Sequence, residues 1–173
     1  FLSHMGVDFS GWDCWGERPV KLASRLGLLD PETLAVHLLQ VSRPEMRLLG
    51  ESGVRVCLCP RSNERLHGAI PDVEGFLRAG LRPALGTDSL ASVPSLSIWD
   101  EMAFMAEKYA HILPEAILAM GTRNGAIALG REDLGVLAPG KTARMLYVPI
   151  EASKAQEAAE KLIWGDFDWV GWI

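Results

Sequence analysis

Three side chains able to do chemistry stand at the ends of successive apolar runs. His37 closes Thr-Leu-Ala-Val, Asn63 follows Val-Arg-Val-Cys-Leu-Cys-Pro-Arg-Ser, and Asp88 follows Ala-Leu-Gly-Thr. An imidazole and a carboxylate delivered to one place can hold a polar ligand or a cation and move a proton. Ala84-Leu85-Gly86-Thr87-Asp88-Ser89 is the sharpest of the three: a short apolar segment, a glycine where the backbone turns, then an acid. An Asp just beyond a strand is a metal ligand, a general base or the N-cap of the next helix, and the local pattern leaves all three open. His37 on its own would read as a satisfied core residue. Three polar groups at one rim argue instead for a site. His and Asp still make only two donors, where a catalytic zinc takes three from its protein. No third candidate of equal quality is present: His67 falls in a polar stretch, His111 at a helix end, and His4 near the start of the chain.

The elements that must carry these groups follow from periodicity and punctuation. Pro19 and Gly27 bracket a helix over 20–26, after a Trp-rich loop over 11–18 that holds Trp12, Cys14 and Trp15. Apolar runs predict strands over 33–39, 54–59 and 82–85. Between them lie helices over 44–51, capped by Ser42, and 73–79, capped by Asp72. Pro60-Arg61-Ser62-Asn63 is read as the start of a long polar loop over 60–71. Strand, helix, strand, helix, strand with longer loops on one side is an α/β pattern of three consecutive βα units around a parallel sheet. Ligands of such folds bind at the carboxyl ends of the strands. Helices over 96–110, 115–120 and 124–129 follow, the first with Ile98, Met102 and Met105 on one stripe. From Gly135 the character changes to turn chemistry, a short strand over 145–148, a helix over 151–162 and a tail with Trp164, Trp169 and Trp172 expected to dock on a neighbouring surface.

With 173 residues, 49% hydrophobic and 23% charged, the chain can bury one sizeable core. A net charge of -5 with scattered Lys and Arg offers no field for a phosphate backbone, so nucleic acid is disfavoured as a partner. The absence of a bilayer-length apolar run or a basic-then-apolar leader points to a cytoplasmic protein without a membrane partner. Three cysteines, an odd number, suit a reducing compartment, and Cys57 and Cys59, on one strand face, are read as core packing. The opening Phe1-Leu2-Ser3-His4-Met5-Gly6 reads as a cut from a longer parent.

Taken in order, several runs resemble the C-terminal half of an amidohydrolase-superfamily enzyme. They are Val-His-Leu, Cys-Pro-Arg-Ser-Asn, Leu-Gly-Thr-Asp-Ser-Leu-Ala-Ser, Trp-Asp-Glu-Met, Thr-Arg-Asn-Gly-Ala-Ile-Ala-Leu-Gly and Leu-Gly-Val-Leu-Ala-Pro-Gly-Lys, over 34–148. The resemblance is to the cytosine deaminase, chlorohydrolase and nucleoside deaminase branch, and the Trp-rich loop with Thr-Asp-Ser-Leu-Ala-Ser is similar to aminodeoxyfutalosine deaminases. It implies that 1–134 is the C-terminal portion of a (β/α)8 TIM-type barrel, strands six to eight, and that 135–173 returns to a small auxiliary β-sandwich. It also implies that Asp88 is a metal ligand and proton acceptor and that His37 polarises substrate or water. Arg61, Asn63 and Ser89 would shape the pocket of a small-molecule substrate. The cofactor implied is a divalent metal, zinc ahead of iron. The family's remaining metal-binding histidines and its general-acid Glu would precede Phe1, so the resemblance implies a missing N-terminal half or self-association. Ala143-Arg144-Met145-Leu146 departs from the Ala-Asp-Leu run usual in relatives, away from the chemistry.

The expected activity is hydrolysis of a non-peptide C–N bond, with an aminated purine or related ring losing ammonia. A chlorohydrolase or guanine deaminase is the alternative in the same class. A non-catalytic assembly domain is the alternative outside it. A flavodoxin-like domain would show a Gly-rich phosphate loop, which Pro60-Arg61-Ser62-Asn63 is not.

Overall fold

The computed structural model describes residues 3–11 and 16–173. The expectations for Trp12, Cys14 and Trp15 therefore lie outside the described residues. After a single 3-10 turn at Ser3–Met5, helix α1 spans Pro19–Arg25. Strands β1 (Leu34–Val36), β2 (Arg55–Leu58) and β3 (Ala84–Leu85) form one parallel sheet in the order β1-β2-β3. Leu34 pairs with Arg55, Val36 with Cys57, and Cys57 in turn with Ala84. The sheet has three strands and does not close into a barrel.

Helix α2 (Arg43–Glu51) returns the chain from β1 to β2, and it starts where the sequence places it. The Ser42 amide and hydroxyl both donate to Glu45 Oε2, at 2.9 and 2.6 Å, and Pro44 occupies the first turn. Helix α4 (Val73–Arg78) precedes β3, and Asp72 Oδ1 accepts from the Gly75 amide at 2.8 Å. The polar stretch after β2 corrects the sequence reading, because residues Pro60–His67 form a helix, α3, rather than a loop. Its buried members are Pro60, Ser62 and Asn63, so it shows no apolar stripe. Exposed His67 sits in its last turn, beside the carbonyls that favour a basic group.

Helices α5 (Ile98–Lys108), α6 (Pro114–Gly121) and α7 (Arg123–Ala128) follow, and α8 (Ala155–Trp164) packs on α5 and α6 through Ala159 and Ile163. Val56 and Leu58 of β2 point toward these helices, into a core with Leu49, Phe76, Met102, Met105, Ile117, Met120 and Ile163. Leu34 and Val36 lie on the other side of the sheet and are 39% and 43% exposed. Cys59 is buried, as the core-packing reading expects, while Cys57 is only half-buried, and both sulfurs turn toward Gly86. Past Gly135 the chain forms β4 (Leu146–Tyr147), paired antiparallel with β5 (Gly171–Trp172). The tail docks in part: Phe167 meets Trp99 edge-on at 5.4 Å and Trp169 leans on Tyr147, while Trp172 remains 76% exposed.

Candidate active site

His37, Asn63 and Asp88 do converge, and helix α3 joins them. Asn63 Oδ1 lies 2.9 Å from His37 Nδ1, so the imidazole donates from Nδ1 and keeps Nε2 for a ligand. The preceding residue, Ser62, donates its hydroxyl to Asp88 Oδ2 at 2.6 Å. Two adjacent residues in the first turn of one helix thus orient the imidazole and the acid, which come from different strands. Ser62 and Asn63 are 0% and 1% exposed, while His37 is half-buried and Asp88 open to solvent.

The backbone at both groups is bent out of the strand. His37 has φ 68° and is the central residue of a three-residue turn closed from the Leu38 amide to the Val36 carbonyl at 2.9 Å. Leu38 follows at φ 49°. That turn ends β1 at Val36, three residues before its apolar run does. Asp88 has φ 64°. Left-handed backbone at residues other than glycine costs of order 1–3 kcal/mol each and gathers at functional sites.

Asp88 caps no helix. The next helix is capped by Ser97, whose hydroxyl accepts from the Asp100 amide at 3.2 Å. Instead Asp88 Oδ2 receives the hydroxyls of Ser62 and, at 2.9 Å, Ser92. These two bonds, Ser62's first, hold its carboxyl below the usual range against the opposing effect of burial, with His37 adding to the same side. The acid is therefore ionised near neutrality. Ser89 is exposed beside it, on the turn between Asp88 and Ser92.

Arg61, expected at the substrate pocket, is held against α5 in this structure. Its guanidinium, 12% exposed, turns to α5, with Nη1 3.5 Å from Asp100 Oδ2 and 3.5 Å from Glu101 Oε1, and bonds Ser95 Oγ at 3.3 Å. Glu101 itself is wholly buried, and burial pushes its carboxyl up to about 7 against the Arg61 amide and guanidinium, with Asp100 adding to the rise. Glu45 behaves oppositely. Burial works against its charge too, but the Ser42 hydroxyl and amide and Arg18 outweigh it and hold the carboxyl low.

A raised acid makes a distinct pH signature. Between pH 4.5 and about 7 the unfolded chain ionises Glu101 and the folded one does not, so stability falls as pH rises through that window, by roughly 3 kcal/mol. Glu101→Gln should remove that slope, and urea denaturation of both proteins at pH 4.5, 6 and 8 checks it.

Gly86 brings β3 against the two cysteines. A methyl group added there would lie 2.7 Å from Cys57 Sγ and 3.3 Å from Cys59 Sγ. The Cys59 thiol, hydrogen-bonded to Cys57, draws the Cys57 thiol down in pKa and has its own pushed up by that bond and by burial. Gly86→Ala should cost about 1–3 kcal/mol by overpacking, and most of that should return in the Cys57→Ala background. A double-mutant cycle from urea midpoints gives the coupling.

Among the described residues, no three His, Cys, Asp or Glu side chains group as a metal site. Asp88 and His37 alone do not fit a metal centre, and further donors would have to come from elsewhere. An apolar groove of about 600 Å³ between α5, α6, α8 and β4, lined by Trp99, Met102, Leu118 and Trp172, shares no residue with the His37–Asp88 cluster. Sequence reasoning missed Ser62, Ser92 and Glu101. All three lie within the runs that carry the family resemblance, and Glu101 also falls three residues after Ile98 on the Met102 and Met105 stripe.

A helix-covered parallel sheet with an oriented imidazole and an ionised acid at its carboxyl rim defines an α/β protein in which those two groups have the chemistry to move a proton or bind a polar ligand. Comparison with known proteins makes the class specific. The chain belongs to the amidohydrolase family, whose model matches residues 15–163. It is 38% identical over 142 residues to a 5-methylthioadenosine/S-adenosylhomocysteine deaminase of Teredinibacter turnerae, a match covering 78% of this chain and 32% of that protein. A protein of the same name from Natronomonas pharaonis is 41% identical over 122 residues, 69% of this chain and 28% of the relative. The chain thus spans about a third of the length of the curated relatives it matches. Among solved structures, an adenosine deaminase from Xanthomonas campestris with bound zinc aligns with a TM-score of 0.78 at 31% identity, over 87% of this chain and 37% of that one. An atrazine chlorohydrolase from Arthrobacter aurescens, complexed with zinc, shares the fold with a TM-score of 0.74 at 21% identity, over 91% and 36%. No helix among the described residues is long and apolar enough to cross a membrane.

Proposed function

We propose that this chain supplies part of the active site of a hydrolase that removes the exocyclic amine of a 6-aminopurine nucleoside. The observation that carries the reading is the coupling of His37 and Asp88 through adjacent residues of one helix turn. Deaminase names among the relatives support the reaction and the ring. Water adds to the ring carbon bearing the amine, Asp88 accepts one of its protons and returns it to the departing amine, the C–N bond breaks and ammonia leaves, while the hydroxyl proton moves to the adjacent ring nitrogen as the carbonyl forms. His37, held by Asn63 at Nδ1, presents Nε2 to the substrate or to the attacking water. Asn63 and Ser89 line the pocket, and Arg61 acts through α3.

Residues 1–134 are assigned to barrel strands six to eight and their helices, and 135–173 to the return into an auxiliary β-sandwich. Zinc is present in the Xanthomonas and Arthrobacter structures. At this site Asp88 would be one donor to a divalent cation, with the others coming from another segment or from a second copy of the chain.

Ammonia release from adenosine and 5′-methylthioadenosine, measured with the chain alone and after joining it to an N-terminal half of a relative, tests the reading. Turnover only in the joined protein is expected, and calorimetry of the chain alone should show no tight equivalent of zinc. One tight equivalent would overturn the shared-donor assignment. Chloride release from a chlorinated triazine without ammonia release would favour the chlorohydrolase, and a joined protein inert toward both would favour a non-catalytic assembly domain.

A further inference from the structure

Helix α3 holds both halves of the candidate site, yet beyond Pro60 at its first position no side chain of its own caps its first turn. Its N-cap, Cys59, makes no side-chain capping bond, and Pro60 donates no amide. The free Arg61 amide is taken by a residue 40 positions away, Glu101 of α5, whose Oε2 accepts at 3.3 Å. Glu101 is 0% exposed, and its second oxygen, Oε1, has no hydrogen-bond partner and faces the Arg61 guanidinium at 3.5 Å. A buried carboxylate has a desolvation cost that a well-packed apolar residue at the same place on the Ile98, Met102 and Met105 stripe would avoid. Its placement answers to the helix it meets. A negative group at a helix N-terminus satisfies an open amide and complements the dipole. The residues immediately following Arg61 are Ser62 and Asn63, the partners of Asp88 and His37.

We infer that Glu101 is a positioning residue: from α5 it caps the N-terminus of α3 and thereby sets the orientation of His37 and Asp88 through Asn63 and Ser62. The functional part of this inference rests on the deaminase reading, whereas the positioning itself does not. Charged or titratable groups facing Glu101 are Arg61 from α3, Cys59 at that helix's N-cap, Cys57 from β2, and Asp100 from its own helix.

The test uses Glu101→Leu, which fills the space without an acceptor, and Glu101→Gln, which keeps one. Amide hydrogen exchange and histidine ring signals are followed by NMR in the 173-residue chain, and kcat and KM in the joined deaminase. With Leu, exchange at Arg61 and Asn63 should rise about tenfold relative to Ile117 of α6, and the His37 ring signals should shift. kcat should fall at least about tenfold with KM held within about twofold, because misorientation acts on the reacting geometry. Gln should bring back the exchange protection and most of kcat.

Unchanged Arg61 exchange and unchanged His37 signals in a folded Leu variant would overturn the inference, as would a folded Gln variant that rescues neither. Should the Leu variant fail to fold, the wild-type chain answers instead: the Arg61 amide resonance should titrate with Glu101 near pH 7, and a flat resonance from pH 5 to 9 would count against capping. NMR changes as expected, with no turnover in any joined protein, would uphold the positioning and sink the deaminase reading.

Discussion

Asp88→Asn is expected to lower kcat/KM for ammonia release in the joined enzyme by about 10³-fold, from the loss of the group proposed to accept the water's proton. The fold should barely notice. Asn tolerates the left-handed backbone that Asp88 adopts, and its Oδ1 can still receive the Ser62 and Ser92 hydroxyls. Thermal melts of the variant and the parent chain should therefore nearly coincide while activity collapses. A fall in activity matched by an equal loss of folded protein would reduce Asp88 to a structural acid. Ser62→Ala is the informative companion, since it leaves the acid in place but removes the shorter of its two bonds. It should lower activity less than Asp88→Asn does.

The second large effect belongs to the core. Phe76→Ala should destabilise the chain by about 3–5 kcal/mol, because Phe76 is fully buried in the hydrophobic core. For a domain of this length that corresponds to a melting point lower by roughly 10 °C. Urea denaturation would register it as a shifted midpoint with little change in slope. Phe76→Leu, which leaves a smaller void, should recover part of the loss. If Phe76→Ala costs less than about 1 kcal/mol, the packing around α4 is looser than this structure has it.

The βα alternation was legible in the sequence because its signals are local. Ser42 and Asp72 mark two helix starts, and β2 and β3 carry short apolar runs that end within a residue or two of where they should. Helix α3 was not legible, since its buried side is Pro60, Ser62 and Asn63, and the usual apolar stripe is replaced by side chains facing other polar groups. Pro60 and Gly68, eight residues apart, do bracket it as first turn and left-handed stop. Strand β1 was overextended for the opposite reason: its apolar run continues through the very residues that turn away. At the site, residue type pointed to His37, Asn63 and Asp88, whereas Ser62 and Ser92 became visible only once α3 and the Asp88 turn existed in space. Arg61 entered through the family resemblance, and its contact with Glu101 was not legible because that buried acid lies 40 residues on.

The left-handed bends at His37, Leu38 and Asp88 bear on laboratory evolution. Leu38, and to a lesser degree His37, are positions where glycine or asparagine relieves the backbone, whereas the aspartate at 88 already tolerates it about as well as asparagine would. A library selected for heat tolerance alone should drift toward those residues at codons 37 and 38, and survivors changed at His37 would be sturdier and inert. Selection that also demands turnover should hold His37 and Asp88 and let only Leu38 change.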